Sequence, residues 1–326
     1  MISRFLTLGC LTWAVACPLE AATPPGPAAQ AEPFFPPRTP AGHPRIDGVW
    51  ATEFFTMLER PPFVADLVVS PEEAREVVAK LAAAMPHNID PDFEAHGVSE
   101  LVSVRGELRT SIIVDPEDGQ LPYSEAGLEQ AQAVKARFDG AFDDPEQRPR
   151  PERCLENFGF APIRAIPLFL PRRIFQTADH VVVWSEDASG LRTIHLHGEP
   201  PPDEIRSIEG YSLGRWEGDT LVVETTHLRR DLDARDGGIG RPLLIGPDTR
   251  IEERLTRVSD TELVYRYTVH DPVLYTQPWT GELSMTRHDG PLYEYACHEG
   301  NYSLPNALRG GQAEADREAE AEPTGE

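Results

Sequence analysis

The segment from Tyr211 to Leu228 contains two strand-like halves joined by a very short turn, and no other part of the chain limits the fold as strongly. The turn comprises residues 217–219, in which Gly218 can adopt the positive φ that a tight β-hairpin needs. Three more hairpins of the same kind are predicted along the chain. The segment is therefore one unit of an antiparallel β-meander.

The other hairpins place almost all of the chain after Cys154 in strands. Their strands and turns are residues 173–184 and 191–197 around 187–190, residues 249–258 and 262–270 around 259–260, and residues 279–287 and 292–297 around 288–290. With the first hairpin they make about eight strands, which can close into an up-and-down barrel around a cavity for one small ligand. The sequence therefore predicts a mainly β fold, an antiparallel up-and-down barrel, with a β-sandwich as the alternative.

Two short helices are predicted in the N-terminal half. The first begins at Ser70, which can cap the helix, and continues with Pro71 and acidic residues in the first turn. The second begins at residues 124–125, and apolar residues follow it at helical spacing. Short strands are also predicted at residues 46–50 and 109–115.

The two ends of the chain differ in composition from the rest. Residues 1–22 have a basic residue, then a short apolar stretch and then small residues, which is typical of an export signal. Residues 23–45 are rich in proline and alanine and predict an extended linker. The predicted domain spans residues 46–305. Residues 306–326 are predicted to be a disordered acidic tail, because such a sequence cannot bury a core.

The cysteines and the export signal together indicate the periplasm or the cell exterior. Cys10 and Cys17 lie in or beside the signal, so Cys154 and Cys297 remain, and an oxidising compartment predicts a disulfide between them. Two separate buried thiols are the alternative. Ala16-Cys17 resembles a weak lipoprotein cleavage site, so a lipid anchor at Cys17 ranks second, and no transmembrane segment is expected after removal of the signal.

The formal net charge of −24 argues against partners that need a basic surface. Such partners include nucleic acids and anionic membranes. The chain also lacks phosphate-loop, dinucleotide, serine-hydrolase and zinc-ribbon motifs, so no nucleotide cofactor is expected. Residues 237–240 are rich in glycine but lie between strands, and they predict a flexible loop.

Several of these segments resemble a large, poorly characterised family of exported bacterial proteins. The most specific are GRWEGDTLVV within residues 213–223 and DPxxYTxPW at residues 271–279, and further matches lie at 46–50, 109–116, 118–119, 153–155, 175–177 and 294–299. The resemblance implies a secreted or periplasmic, β-rich, lipocalin-like domain and no particular reaction. The family usually has two asparagines after the glutamate at 299, whereas this chain has Gly300-Asn301, so no role for that pair carries over.

His195 and His197 are candidate metal ligands. Side chains two apart on a strand point to the same face, and imidazole is a common metal ligand. The pattern is incomplete, because Glu199 comes too early and Glu204 too late to complete a known ligand set. A half-exposed strand face without a metal is the favoured alternative, and the identity of any cofactor stays open.

His227, His270 and His298 are candidate catalytic residues because they lie at or near predicted strand ends, where barrels bind ligands. A histidine beside a carboxylate can act as a general acid or base near neutral pH. Asp271 and Glu299 are adjacent in sequence to two of these histidines. Adjacent strand residues face opposite ways, however, so contact is not implied.

Five further residues are candidates for binding a ligand: Arg215, Trp216, Tyr275, Trp279 and Tyr293. Aromatic side chains can line an apolar pocket, and an arginine at its mouth can bind a polar group. The structural alternative is favoured for Arg215 and Trp216, which can pair across the sheet and support the turn. Aromatic residues in strands are likewise more often core residues.

These observations predict an exported barrel that binds a small apolar or aromatic molecule in its interior. One alternative is a periplasmic enzyme, either a metal-assisted hydrolase or oxygenase that uses His195 and His197, or an acid–base isomerase or lyase that uses one of the other histidines. A further alternative is a cell-envelope protein that binds partners through its outer surface and acidic tail.

Overall fold

The predicted hairpins form most of a β-barrel in the computed structural model, which describes residues 34–84, 100–138, 142, 144–148, 153–155, 159–164, 169–186, 191–229, 233–235 and 241–321. The strands are β1 (Gly48–Thr52), β2 (Val68–Val69), β3 (Ser103–Val104), β4 (Glu107–Arg109), β5 (Ile113–Asp115), β6 (Leu170–Gln176), β7 (His180–Ser185), β8 (Leu191–His195), β9 (Tyr211–Glu217), β10 (Thr220–Thr226), β11 (Asp233–Arg235), β12 (Leu243–Ile245), β13 (Arg250–Arg257), β14 (Glu262–His270) and β15 (Trp279–Arg287). The helices are α1 (Pro71–Ala84), α2 (Glu125–Phe138), α3 (Cys297–Gly300) and α4 (Ser303–Ala321), with a 3-10 turn at Pro145–Gln147.

Nine strands close the barrel in the order β1, β6, β7, β8, β9, β10, β13, β14, β15, and β15 pairs with β1. Neighbours are antiparallel at every joint except β8–β9, where Ile194 aligns with Ser212 in parallel. A closed ring with an odd number of strands cannot alternate in direction all the way round, so one parallel joint is required. The predicted barrel is confirmed, except that one of its joints is parallel. Because the nine strands close into one ring, the fold is not the alternative β-sandwich.

Two predicted strand pairs differ from those in the structure. Residues 173–184 were predicted as one strand, but the chain turns at residues 177–179 and forms the hairpin β6–β7. Residues 291–296 are not a strand; instead β15 pairs with β1, with Trp50 aligned to Arg287. β1 therefore pairs with β15 in place of the strand that was predicted to follow β15 in a hairpin. The hairpins β9–β10 and β13–β14 are confirmed.

The middle of the barrel is a packed core. Burial alternates along β13, where Ile251 and Leu255 are buried and their neighbours are partly exposed, as expected for a strand with one inward face. Inward side chains from the other strands include Trp50, Leu221, Tyr265, Trp279, Leu283 and Met285, all with 0% exposure and all in one hydrophobic cluster. A side chain without accessible surface contacts no space as large as a water molecule. The described part of the interior therefore has no room for a ligand beside these residues.

One ion pair is buried within this core. The Arg192 guanidinium donates to both carboxylate oxygens of Glu253, with Nη1 to Oε1 at 2.8 Å, and also to the hydroxyls of Ser212 and Thr225. Tyr265 Oη donates to Glu253 Oε1 at 2.6 Å, and burial raises the pKa of this phenol, so it stays protonated. Each charge is thus hydrogen-bonded on several sides, as a buried pair requires.

Apart from β1, the described strands and helices of the N-terminal half lie outside the ring of nine strands. Strands β2, β4 and β3 form a small sheet, and β5 pairs with β15. Both predicted helices are confirmed as α1 and α2. At the start of α1, the Glu73 carboxylate accepts from the Ser70 main-chain N–H and hydroxyl, both at 2.8 Å, which forms a capping box and lowers the pKa of Glu73.

The C-terminal end is helical where the sequence predicts a disordered tail from residue 306. Helix α4 has half-buried residues at Leu304, Ala307, Leu308 and Gly311, a spacing that places them on one face. A Cβ on Gly311 would lie 2.7 Å from the backbone of Phe142, so α4 is in close contact with the chain at Phe142. Cys154 and Cys297 are bonded to each other, as predicted.

The predicted export signal, residues 1–22, lies outside the described residues, as does the linker up to residue 33. The described part of the linker packs on the β9–β10 hairpin, where Arg38 pairs with Asp219 and His43 stacks on Trp216. No helix in the described ranges is long and apolar enough to cross a membrane.

Candidate functional site

A cleft of about 240 Å³ lies beside the segment that follows β1. We call it the Glu59–Arg241 cleft. Its lining residues are Met57, Leu58, Glu59, Arg60, Pro61, Pro62, Phe63, Leu81, Gln120 and Arg241. The chain reaches this place from four distant segments, so the cleft is a product of the tertiary fold.

The polar wall of the cleft is the ion pair between Glu59 and Arg241. Arg241 Nε donates to Glu59 Oε2 at 3.0 Å, and Arg241 Nη2 donates to Glu59 Oε1. The same Oε1 accepts from the main-chain N–H of Leu121 at 2.7 Å. Bidentate pairs of this kind fix orientation as well as charge. The hydrogen bond to Glu59 raises the pKa of Arg241, which keeps the guanidinium charged.

Arg241 is also held by an aromatic ring. Its guanidinium carbon lies 5.1 Å from the centroid of the Tyr123 ring, within cation–π range. Tyr123 in turn stacks on Tyr275 with ring centroids 5.5 Å apart, and its hydroxyl donates to the Pro242 carbonyl. Burial raises the pKa of Tyr123, so the phenol stays neutral. The cation is thereby positioned from two directions.

Arg60 supplies a second positive charge and is 8% exposed. Its Nη1 donates to the Ala65 carbonyl at 2.9 Å, and its main-chain N–H donates to the Gly119 carbonyl at 3.0 Å. Gly119 has φ +69°, and a Cβ there would lie 2.9 Å from Arg60 Cβ. A glycine is therefore needed at position 119 both for its backbone conformation and for the close approach of Arg60.

The remaining walls are largely apolar. Phe63 is 47% exposed, and Leu81 of α1 is partly exposed on the same cleft. Lys80 Nζ lies 5.5 Å from the centroid of the Phe63 ring, so the edge of the apolar wall carries a positive charge. An exposed phenylalanine beside a leucine and two prolines is a surface that an apolar group can cover.

The side chains that line the cleft combine polar and apolar groups. The described lining residues provide guanidinium and amide donors, one carboxylate and apolar surface, and they include no histidine, cysteine, serine or lysine. The cleft can thus hold a molecule with one apolar and one polar part.

The structure disperses the five predicted ligand-binding residues. Arg215 lies on the outer face and pairs with Glu217 at 2.7 Å. Trp216 is partly buried under His43. Tyr293 is 68% exposed, and its main-chain N–H donates to Glu186.

Tyr275 and Trp279 are core residues. Their ring centroids are 5.8 Å apart, and both side chains are almost fully buried. The Tyr275 hydroxyl donates to the Leu244 carbonyl and accepts from the Leu244 N–H. Burial raises the pKa of this phenol. Tyr275 contributes to the cleft only indirectly, by supporting Tyr123.

The three predicted catalytic histidines lie apart from the cleft and from each other. His270 is on the outer face of β14, and burial, followed by the nearby Arg250 charge, lowers its pKa. The carboxylate of the adjacent Asp271 accepts hydrogen bonds from the Thr249 hydroxyl and from the main-chain N–H groups of residues 273 and 274. His298 is exposed in the short helix α3.

The predicted metal ligands His195 and His197 make different contacts. His195 stacks on Tyr211 with centroids 4.7 Å apart, whereas His197 is exposed and lies 3.9 Å from Asp179. His180 contacts the other face of His195 edge-on, at 5.1 Å between centroids. Burial, and then the nearby His180, lower the pKa of His195. Within the described residues no group of three or more His, Cys, Asp or Glu side chains could hold a metal ion.

The structure does bring two of the predicted histidines near one another. Tyr211 has His195 on one side and His227 on the other, the latter at 6.5 Å between centroids. His227 has φ +57° and its Nδ1 lies 2.8 Å from Thr226 Oγ1. Together with His180, these rings form a row on the outer face of the sheet, from β7 through β8 and β9 to the end of β10. They form a surface feature separate from the cleft.

The residues of the cleft are absent from the sequence-based candidates. Glu59 and Arg241 are 182 positions apart, and no spacing rule connects them. The one local signal is an arginine followed by two prolines and a phenylalanine at residues 60–63, a combination that places a charge beside apolar surface.

Comparison of the chain with family models, with curated proteins and with solved structures finds no significant match.

Proposed function

We propose that this protein is a small-molecule-binding β-barrel that holds an amphipathic ligand in the Glu59–Arg241 cleft and uses the packed barrel as a rigid support. The observation that carries the proposal is the combination of a half-exposed Phe63 with a fixed, partly exposed Arg241 in one concave site. Ligand sites typically combine apolar walls with a few positioned polar groups.

The volume of the cleft limits the ligand to a small molecule. Pockets for drug-sized ligands enclose roughly 300–1,000 Å³. At about 240 Å³, this cleft fits a compact aromatic or short alkyl group with one polar end. The sequence predicts an apolar or aromatic ligand in the interior of the barrel; this proposal adds a polar end to that ligand and places it in a cleft beside the barrel.

We further propose that the protein is exported. The support is the signal-like sequence of residues 1–22, the resemblance to a family of exported bacterial proteins, and the bond between Cys154 and Cys297. Disulfides persist in oxidising compartments and are rare in the cytosol. Fractionation of cells that express the full chain tests this, and recovery of the intact chain in the cytoplasm contradicts it.

The binding proposal is tested by blocking the cleft. Leu81→Trp places a large side chain in the cleft, and Leu128→Trp makes the same change at an exposed position of α2, away from it. Octanol and benzyl alcohol should raise the melting temperature of the wild type and of Leu128→Trp but not of Leu81→Trp. A ligand at about 100 times its Kd stabilises a protein by about 2.7 kcal/mol. Equal stabilisation of all three proteins would place the binding elsewhere.

A further inference from the structure

We infer that the ligand of the Glu59–Arg241 cleft is an anionic amphiphile, a small carboxylate with an apolar tail, and that Arg241 binds its charged end. This inference rests on the proposed function and adds the chemical class of the ligand. It follows from the hydrogen-bond donors that Arg241 has left, from the rigidity of its side chain and from the charges around it.

The first argument concerns the donors of Arg241. A guanidinium has five N–H groups. In Arg241, Nε and Nη2 donate to Glu59, and Nη2 also contacts the Leu121 carbonyl at 3.4 Å. No acceptor among the described residues bonds to Nη1, and the side chain is 40% exposed on the cleft. Both N–H groups of Nη1 are therefore open to a ligand, and a carboxylate oxygen is a strong acceptor for such charged donors.

The second argument concerns rigidity. Arg241 is fixed on one edge by Glu59 and on one face by the ring of Tyr123. Tyr123 is itself fixed by its stack on Tyr275 and by its bond to the Pro242 carbonyl. A ligand that binds Arg241 consequently loses little additional side-chain entropy, which is the advantage of a preorganised site.

The third argument concerns charge. Arg60, Arg241 and Lys80 carry positive charge at the cleft, Glu59 carries the negative charge of its wall, and Asp118 is a second negative charge near Arg241. The local balance is positive, although the whole chain has a formal charge of −24. A cationic ligand would be repelled by this balance, and a neutral ligand would leave the charged N–H groups of Nη1 to water. An anion satisfies both the charge and the donors.

The apolar walls orient the rest of the molecule. Phe63 and Leu81 line the same cleft as Arg241, so a tail that covers them can belong to a molecule whose carboxylate is bound at Arg241. The ligand is thus recognised at two points, its carboxylate by Arg241 and its tail by the phenylalanine and leucine side chains.

The test compares octanoate with octanol, which share a tail and differ in the charged end. Calorimetry at neutral pH should show that the wild type binds octanoate more tightly than octanol. Arg241→Gln should weaken octanoate binding roughly 10- to 100-fold, the value of a charge-assisted hydrogen bond, and should weaken octanol binding by a clearly smaller factor. Arg250→Gln is the control, because Arg250 pairs with Glu224 on the outer face of β13. It should change neither affinity.

Arg241→Gln leaves the Glu59 carboxylate without its partner and could prevent folding. A second variant therefore tests the same point without an unpaired charge. The double variant Glu59→Gln/Arg241→Gln replaces the pair by two neutral amides and should show the same selective loss of octanoate binding. If octanol binds as tightly as octanoate and Leu81→Trp abolishes both, the inference of an anionic ligand fails while the proposed binding function stands. If neither compound binds the wild type, both are overturned.

Discussion

The buried Arg192–Glu253 pair allows a quantitative prediction about stability. Arg192→Met removes the cation while a side chain of similar length remains. The Glu253 carboxylate, which is 0% exposed, then keeps the Tyr265 hydroxyl at 2.6 Å and the Thr225 hydroxyl at 3.3 Å as its only described side-chain donors. A buried charge left without its counter-ion costs about 3–5 kcal/mol. We expect Arg192→Met to lose this amount of unfolding free energy.

The double variant Arg192→Met/Glu253→Gln separates the value of the pair from the cost of breaking it. It has no uncompensated charge, and the hydroxyls of Ser212 and Thr225 still bond to each other at 2.8 Å. Replacement of a whole buried pair is often neutral or stabilising. We therefore expect the double variant to be more stable than Arg192→Met alone.

Urea unfolding followed by tryptophan fluorescence measures these changes. The matched control is Arg250→Met, whose pair with Glu224 is 38% and 50% exposed and should contribute less than about 1 kcal/mol. A loss below about 1 kcal/mol for Arg192→Met would refute the reasoning. So would a double variant that is no more stable than Arg192→Met alone.

Three further predictions concern other parts of the fold. Burial and the nearby His180 lower the pKa of His195, so the unfolded chain binds a proton at this residue more readily than the folded chain. The melting temperature should therefore fall as the pH drops below the ordinary imidazole pKa of 6.5. In His195→Phe this fall should be smaller, and an unchanged fall contradicts the prediction. Replacing Cys154 and Cys297 by serine opens a separation of 143 residues and should lower stability by up to about 4–5 kcal/mol; reducing agent should have no further effect on the variant. Gly281→Ala places a Cβ 2.4 Å from Tyr267 Cζ and should cost about 1–3 kcal/mol by urea unfolding, whereas Gly300→Ala, with open space around it, should cost little.

The parts of the fold that were predictable have local signals. The β9–β10 hairpin has Gly218 at its turn with φ +59°, as its sequence indicates. The start of α1 has the predicted cap at Ser70. The turn between β6 and β7 was missed because it contains no glycine or proline. There the Thr177 hydroxyl accepts from the N–H of Asp179 and of His180, which stabilises a turn by a weaker and less recognisable signal.

Closure of the barrel and the composition of the cleft were not predictable from local patterns. Trp50 aligns with Arg287, and Glu59 bonds to Arg241, over separations that no periodicity records. Aromatic residues were predicted as pocket walls because composition cannot distinguish a wall from a core. Tyr275 and Trp279 are core residues, and the exposed aromatic residue of the cleft is Phe63.

The parallel joint between β8 and β9 has a consequence for how the ring is kept shut. Only two residue pairs align there, as at β1–β15, against eight between β13 and β14. Side chains from the two strands cross this seam on both surfaces: Arg192 reaches Ser212 on the inside, and His195 stacks on Tyr211 on the outside. These side-chain contacts therefore support a joint that has few main-chain hydrogen bonds. We expect variants that remove Arg192 or His195 to open the barrel at the joint between β8 and β9 first.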